Sequence, residues 1–372
     1  MFKDYIEKRR GWLTLLIITI LIVPSYFSIS NYFLVLLLLL SPFFLQKDII
    51  LKHKWPIVIT VIAVIIYVIF YRKFLIYSAC KIDIGQVIPI PLLLLLSSFI
   101  GFYFRNYRLP ILIFSFFFCL EAIVGIAEFT FGVQSFFVEN ASLIKTPNNY
   151  IFSRPGVYGL SDGSSSFAVN MLCLVFLANS YYSKSIRYIL IGIGILGVIL
   201  SSNKTMTIGM VVYLITSFLF FKHNKNIKYA LAALIVITNG ILFYFVIFPE
   251  PIINIVLTGR LPIYEAFVKF IRGNILFGNY SKPLRIISDS GKVIHSHNSL
   301  LQLAADNGLV YTCLFLSFIF VHINKKNMLM IAILIFVSST QYILFWGVYH
   351  IDILFFLILF TSTMKGGNKI SS

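Results

Sequence analysis

Runs of apolar residues long enough to cross a bilayer recur from one end of this 372-residue chain to the other, separated by short polar breaks. The hydrocarbon core is about 30 Å thick, and a helix rising about 1.5 Å per residue crosses it in roughly 17–25 residues. About twelve runs approach that length. In the first half they are approximately Trp12–Ile29, Tyr32–Leu45, Trp55–Tyr71, Gln86–Phe104, Leu109–Glu128 and Ser164–Tyr182. In the second half they are Arg187–Ser201, Met206–Phe221, Tyr229–Phe248, Asn298–His322, Met328–Thr340 and Tyr342–Thr361. Barrel strands alternate apolar and polar positions, whereas these runs are apolar on every face. The expected fold is therefore an all-α polytopic membrane protein of about twelve transmembrane helices, a single integral membrane domain over residues 1–372. With 59% hydrophobic and 12% charged residues, the few polar clusters must carry any chemistry.

Basic residues in short loops stay on the cytoplasmic side. Lys3, Lys8, Arg9 and Arg10 open the chain, and Lys47, Arg105, Lys184, Lys225, Lys325 and Lys365 fall in alternate breaks, which places both termini in the cytoplasm. The net charge of +17 also contains a second population that this topology puts outside: Arg154, Lys204, Arg260, Lys269, Arg272, Lys282, Arg285 and Lys292. An anionic ligand presented from the outer face explains them, because Arg and Lys are the usual partners of phosphate oxygens. Solvated loop charges or headgroup anchors are the competing reading, which weighs most for the last five.

Two outer loops are long, approximately 129–163 and 249–297. Long loops in compact domains are usually functional. Within the second, helical apolar spacing from Leu261 to Ile271 sets Ile263, Phe267 and Phe270 on one face and predicts a short amphipathic helix on the outer membrane surface. Cys80, Cys119, Cys173 and Cys313 have no CxxC spacing and read as small core residues. The first apolar run is too long for a cleaved leader and is expected to be retained.

His297 falls just before the helix expected from Asn298 or Ser299. The positive end of that helix dipole keeps an imidazole neutral, the form a general base needs. A capping or interfacial histidine without a chemical role is the alternative. His295 faces the same way as His297 if the segment is extended, but without a spaced third ligand a metal site is the weaker reading. Lys204 stands in a tight outer turn, Arg260 follows Thr258–Gly259 where a loop returns to the membrane, and Arg154 precedes Pro155–Gly156. Three cations from three connections could cradle a diphosphate. Gln302 and Asp306 share a helix face, where Asp306 either orients a basic partner or bonds structurally. Gln341, His350 and Asp352 are polar in apolar surroundings and suit hydrogen bonding inside the bundle.

Three segments in order resemble the O-antigen ligase and O-antigen polymerase superfamily of bacterial envelopes: Ser202-Asn203-Lys204-Thr205, Thr258-Gly259-Arg260-Leu261-Pro262-Ile263-Tyr264, and His295-Ser296-His297-Asn298 with Leu301-Gln302 and Asp306-Asn307-Gly308-Leu309. The resemblance covers the C-terminal half in residue detail and the whole chain in topology. It implies a GT-C-like glycosyltransferase architecture in the bacterial inner membrane, without metal or cofactor, acting on the periplasmic side on sugars carried by undecaprenyl pyrophosphate. It casts His297 as general base on the acceptor hydroxyl and Arg260 as the arginine on the donor pyrophosphate, with Lys204, Arg154, His295 and Asp306 as further substrate-binding positions. Lys204 stands where the family usually has arginine, which keeps the charge but loses the bidentate fork. Asp306 stands where glutamate is more usual.

Polymerase and ligase differ in the acceptor, a lipid-linked repeat unit in one and lipid A-core in the other. Modest outer loops and loose motif matches favour the polymerase of O-antigen, capsule or exopolysaccharide. A lipid-linked oligosaccharide flippase is the alternative of another class, but its cations should line a path, whereas these gather on one face. Membrane lipids, the lipid-linked oligosaccharide, a chain-length regulator and a flippase are the expected partners, and nucleic acid is not among them.

Overall fold

The computed structural model describes residues 108–138, 156–220, 240, 244, 260–276, 278–279, 284–287, 293–323, 327–345 and 349–361. The first four expected spans, the span Tyr229–Phe248 apart from residues 240 and 244, both termini and Arg154 lie outside the described residues. The chain divides into two compact units, with residues 108–220 in the first and 240–361 in the second.

In the first unit α1 (Arg108–Phe131), α2 (Ser164–Tyr181), α3 (Lys184–Leu200) and α4 (Lys204–Phe220) follow the expected spans to within a few residues. Every residue of α2 from Phe167 to Ala178 is buried, on all faces, as a helix enclosed by its neighbours requires. The polar exceptions in the apolar runs hold loops. Glu121 and Glu128, two turns apart on α1, are both fully buried. Glu128 accepts the backbone N–H groups of Phe136, Tyr158 and Gly159 at 3.0, 3.1 and 2.7 Å. Glu121 accepts from Ser161 Oγ and, at 2.7 Å, from Asn170 Nδ2.

The second unit contains α5 (Leu261–Gly273), a hairpin of β1 (Ile286–Ile287) and β2 (Val293–Ile294), then α6 (Ser299–His322), α7 (Met328–Ser338) and α8 (His350–Thr361). The strands pair antiparallel, Ile286 with Ile294 and Ile287 with Val293. The helix expected over Leu261–Ile271 is present, but its apolar face is taken up by α6 rather than left for a membrane surface. Leu261, Tyr264, Phe267, Val268 and Ile271 form that face, with Ile263 and Phe270 flanking it half-buried. Ala304 and Ala305 are the small residues on α6 that let α5 approach.

Helix α6 is broken at Gly308, whose φ of 78° and ψ of 164° suit glycine alone. The loop after α5 fills the break: Asn279 N–H donates to Ala305 O at 2.9 Å, and Leu309 N–H donates to Ile275 O at 2.8 Å. Gly278 makes this fit possible, since a Cβ there would stand 2.6–2.7 Å from three backbone atoms of α6.

Three described helices are long and apolar enough to cross a membrane, within α1, α2 and α6. The expected final span Tyr342–Thr361 is corrected, because its helix begins only at His350. Residues 339–345 leave the helix as irregular, largely buried backbone, with Ile343 and Leu344 N–H bonded to Ser299 Oγ at 3.1 and 3.0 Å and Phe345 N–H to Asp352 Oδ1 at 2.7 Å. Non-helical backbone in an apolar protein survives where side chains replace its lost partners. Helices α7 and α8, 11 and 12 residues long, are correspondingly short.

Candidate functional site

Three connections of the second unit meet at the start of α6. Asn298 caps the helix, its side-chain oxygen accepting from Leu300 and Leu301 N–H at 2.9 Å each. His297 is therefore the residue before the cap, as the sequence places it. Its φ of 52° is left-handed, an expensive conformation for a side chain with a Cβ. A clamp of polar groups imposes it. Ser296 Oγ donates to Asn298 O at 2.5 Å and accepts Asn298 N–H at 3.1 Å, bridging the histidine between them. Ser296 N–H in turn donates to Gln302 Oε1 at 3.0 Å.

Gln302 and Asp306 share one face of α6 and turn out to be the brace of this clamp. Gln302 Nε2 donates to Leu284 O at 2.9 Å and to both Asp306 oxygens at 2.9 and 3.1 Å, while Leu284 N–H donates to Asp306 Oδ1 at 2.6 Å. The foot of the hairpin and the turn at His297 are thus joined through one amide. These bonds of Asp306 are structural, and the Arg285 guanidinium also acts on its carboxyl.

The His295 and His297 rings lie 4.7 Å apart, and His295 stacks at 5.0 Å on Tyr342 from the α7–α8 connection. Both histidines are half-buried. Arg260 enters from the start of α5, and its Nη1 donates to Thr340 O at 2.6 Å. With the Gln341 amide turned to satisfy both groups, its oxygen accepts from Arg260 Nη1 and Nη2 at 3.3 and 3.2 Å. Ser299 Oγ ties the same strip down by donating to Gln341 O at 3.2 Å.

Electrostatics follow from this convergence. The His297 pKa falls to about 4, chiefly because burial opposes the imidazolium, and further because the Arg260 guanidinium and His295 lie within reach of it. The ring is neutral at any ordinary pH. It is a proton acceptor beside a fixed cation, a pairing suited to taking a proton from one group while charge develops on another. Among the described residues no set of three or more His, Cys, Asp or Glu could hold a metal.

The structure brings together Arg260, His295 and His297, with Asp306 behind them. Lys204 belongs to the other unit, where it is the exposed first residue of α4. Its turn is braced from inside: Val157 N–H donates to Leu200 O at 3.3 Å, Asn203 Nδ2 to Ser165 Oγ at 2.9 Å, and a Cβ on Gly156 would collide with Ser201 O. Sequence reasoning passed over Glu121, Glu128, Ser296, Ser299 and Tyr342. Two carboxylates seven residues apart in an apolar run were a usable signal, since such groups are retained only with partners.

No protein-family model matches the chain, and no curated protein matches it either.

Proposed function

We propose that this protein is a membrane glycosyltransferase, a repeat-unit polymerase that moves a glycan from undecaprenyl pyrophosphate to a second lipid-linked repeat unit. The observation that carries this reading is the convergence of Arg260 and His297, drawn from separate stretches of sequence, at the start of α6. Both residues belong to the motifs that resemble the O-antigen polymerase and ligase superfamily.

The chemistry assigned to the site is one displacement. The acceptor hydroxyl loses its proton to the neutral His297 ring as its oxygen bonds to the anomeric carbon. The bond from that carbon to the diphosphate oxygen breaks, and its electron pair leaves on the pyrophosphate, inverting the centre. Arg260 offers a fixed positive charge where that negative charge develops. Its bonds to Thr340 O and Gln341 orient the guanidinium without neutralising it. Lys204 and Arg154 enter this reading from the resemblance in sequence alone. The membrane is the bacterial inner membrane, with the site on the periplasmic side.

The test is surface polysaccharide resolved on a gel from a strain deleted for the gene and complemented at matched expression with wild type, His297→Ala or Arg260→Ala. Core bearing a single repeat unit in the deletion, a ladder restored by wild type and none by either variant is the expected result. Bare core with accumulating lipid-linked polymer would assign the ligase instead. A full ladder from His297→Ala would remove the catalytic assignment.

A further inference from the structure

Tyr264 stands one turn into α5, four residues after Arg260, and is 2% exposed. Helical side chains lean toward the N-terminus, so its ring points back along α5 toward Arg260. The hydroxyl is closed off from solvent; the Arg260 guanidinium is close enough to donate to its oxygen, but its O–H has no acceptor among the described residues. It lies near enough to the Arg260 guanidinium for that charge to act on it, and burial pushes the phenol pKa up, so it is protonated at ordinary pH. The ring packs in a cluster with Leu261, Val268 and Leu301, where phenylalanine would serve equally. A buried O–H left without an acceptor is costly. A residue that incurs this cost beside a cation calls for a partner not yet in place.

The start of α5 shows what that partner must be. Its cap position is Arg260 itself, and no side chain caps the first turn. The groups gathered there donate: guanidinium N–H, phenol O–H and the positive end of a 13-residue helix. Their complement is an anion with several acceptor oxygens.

We propose that the Tyr264 hydroxyl is a further binding group of the site, donating to a phosphate oxygen of the diphosphate that Arg260 holds. This rests on the reading of Arg260 given above and adds a neutral donor to it. The contact forms as the guanidinium turns from Thr340 toward the anion and uncovers the phenol.

The experiment uses the full-length protein in detergent, with inorganic pyrophosphate titrated by calorimetry and thermal unfolding followed without ligand. Tyr264→Phe should weaken pyrophosphate binding about tenfold while leaving the melting temperature unchanged or raised, since the variant deletes an unsatisfied group. A purely structural tyrosine gives the opposite pattern, a lowered melting temperature with unchanged binding, and that result overturns the proposal. Arg260→Ala should abolish binding. If it does so while Tyr264→Phe binds as wild type does, the Tyr264 inference alone fails. If wild type does not bind pyrophosphate, the reading of Arg260 fails with it. Glycerol phosphate is the control for a phospholipid headgroup, and equally tight binding of it overturns the diphosphate assignment.

Discussion

Replacing Gln302 with leucine is the sharpest test of how the His297 turn is held. The substitution nearly keeps the volume but removes every bond of the amide: the acceptor for Ser296 N–H and the donor to Leu284 O and Asp306. Ser296 is fully buried, so water cannot replace its lost acceptor. One orphaned buried amide costs about 1–3 kcal/mol, and the weakened Leu284 carbonyl and Asp306 carboxylate bring the total to about 2–4 kcal/mol. At roughly 2–4 °C per kcal/mol, the melting temperature in detergent should fall by roughly 4–16 °C. The left-handed His297 then loses the brace on Ser296, and the glycan ladder should shorten even where the protein still accumulates. Asp306→Asn supplies the internal check, because it damages the same network by placing an NH2 group among donors. The double variant should be less destabilised than the sum of the singles by at least about 0.5 kcal/mol. Strict additivity, or a Gln302→Leu protein that melts with wild type and restores a full ladder, would refute the brace.

Titrating His297 by NMR, assigned by its loss in His297→Ala, should give a midpoint near 4, so that the ring is neutral above that pH and protonated only below it. Arg260→Gln should raise the midpoint toward the ordinary value of 6.5 without reaching it, since burial is the larger cause; a wild-type midpoint at 6.5 contradicts the assigned surroundings. Gly278→Ala forces a Cβ against three backbone atoms of α6 at a φ of 63°, so it should cost about 3 kcal/mol or more and free the loop from the break at Gly308. Equal thermal stability of Gly278→Ala and wild type would mean that the loop does not fill the break. Ser299→Ala leaves the buried Ile343 and Leu344 N–H groups without their acceptor, and limited proteolysis should then cut within 339–345 faster than in wild type. An unchanged cleavage rate would show that the strip is held by other contacts.

Helices were legible where apolar length alone decides them, as for α1, α2 and the segment after Asn298, because burial and backbone satisfaction leave no other structure for such runs. The cap at Asn298, and so the place of His297, was legible for the same local reason. Hydropathy failed at residues 342–345, which read as the start of the last span and yet are irregular. What makes that backbone viable is a serine on α6, distant in sequence, and a nearby aspartate on α8, hydrogen-bonding roles that hydropathy does not register. Tyr342 and Thr340 reach the site only through this excursion, so they went unnoticed. The positive φ of His297 was hidden in the same way, being imposed by Ser296, Asn298 and Gln302 together rather than by the histidine.

The polar residues of this chain divide by charge in a way that bears on its activity. Glu128, Asp306 and Asp352 each accept backbone N–H groups of irregular segments. Such groups must find acceptors in an apolar protein, and a carboxylate with two oxygens can hold several of them. These carboxyl groups are thereby committed to shape. Arg260, in contrast, is oriented by a carbonyl and an amide, dipoles that fix its direction and, among the described residues, leave its charge uncompensated. Joining it to a carboxylate would make the site more stable but electrically silent. Under the proposed function, an arginine held by dipoles beside a neutral imidazole meets an anion from outside the protein, and that preference for ligand over internal partner is what the Arg260 and Tyr264 variants measure.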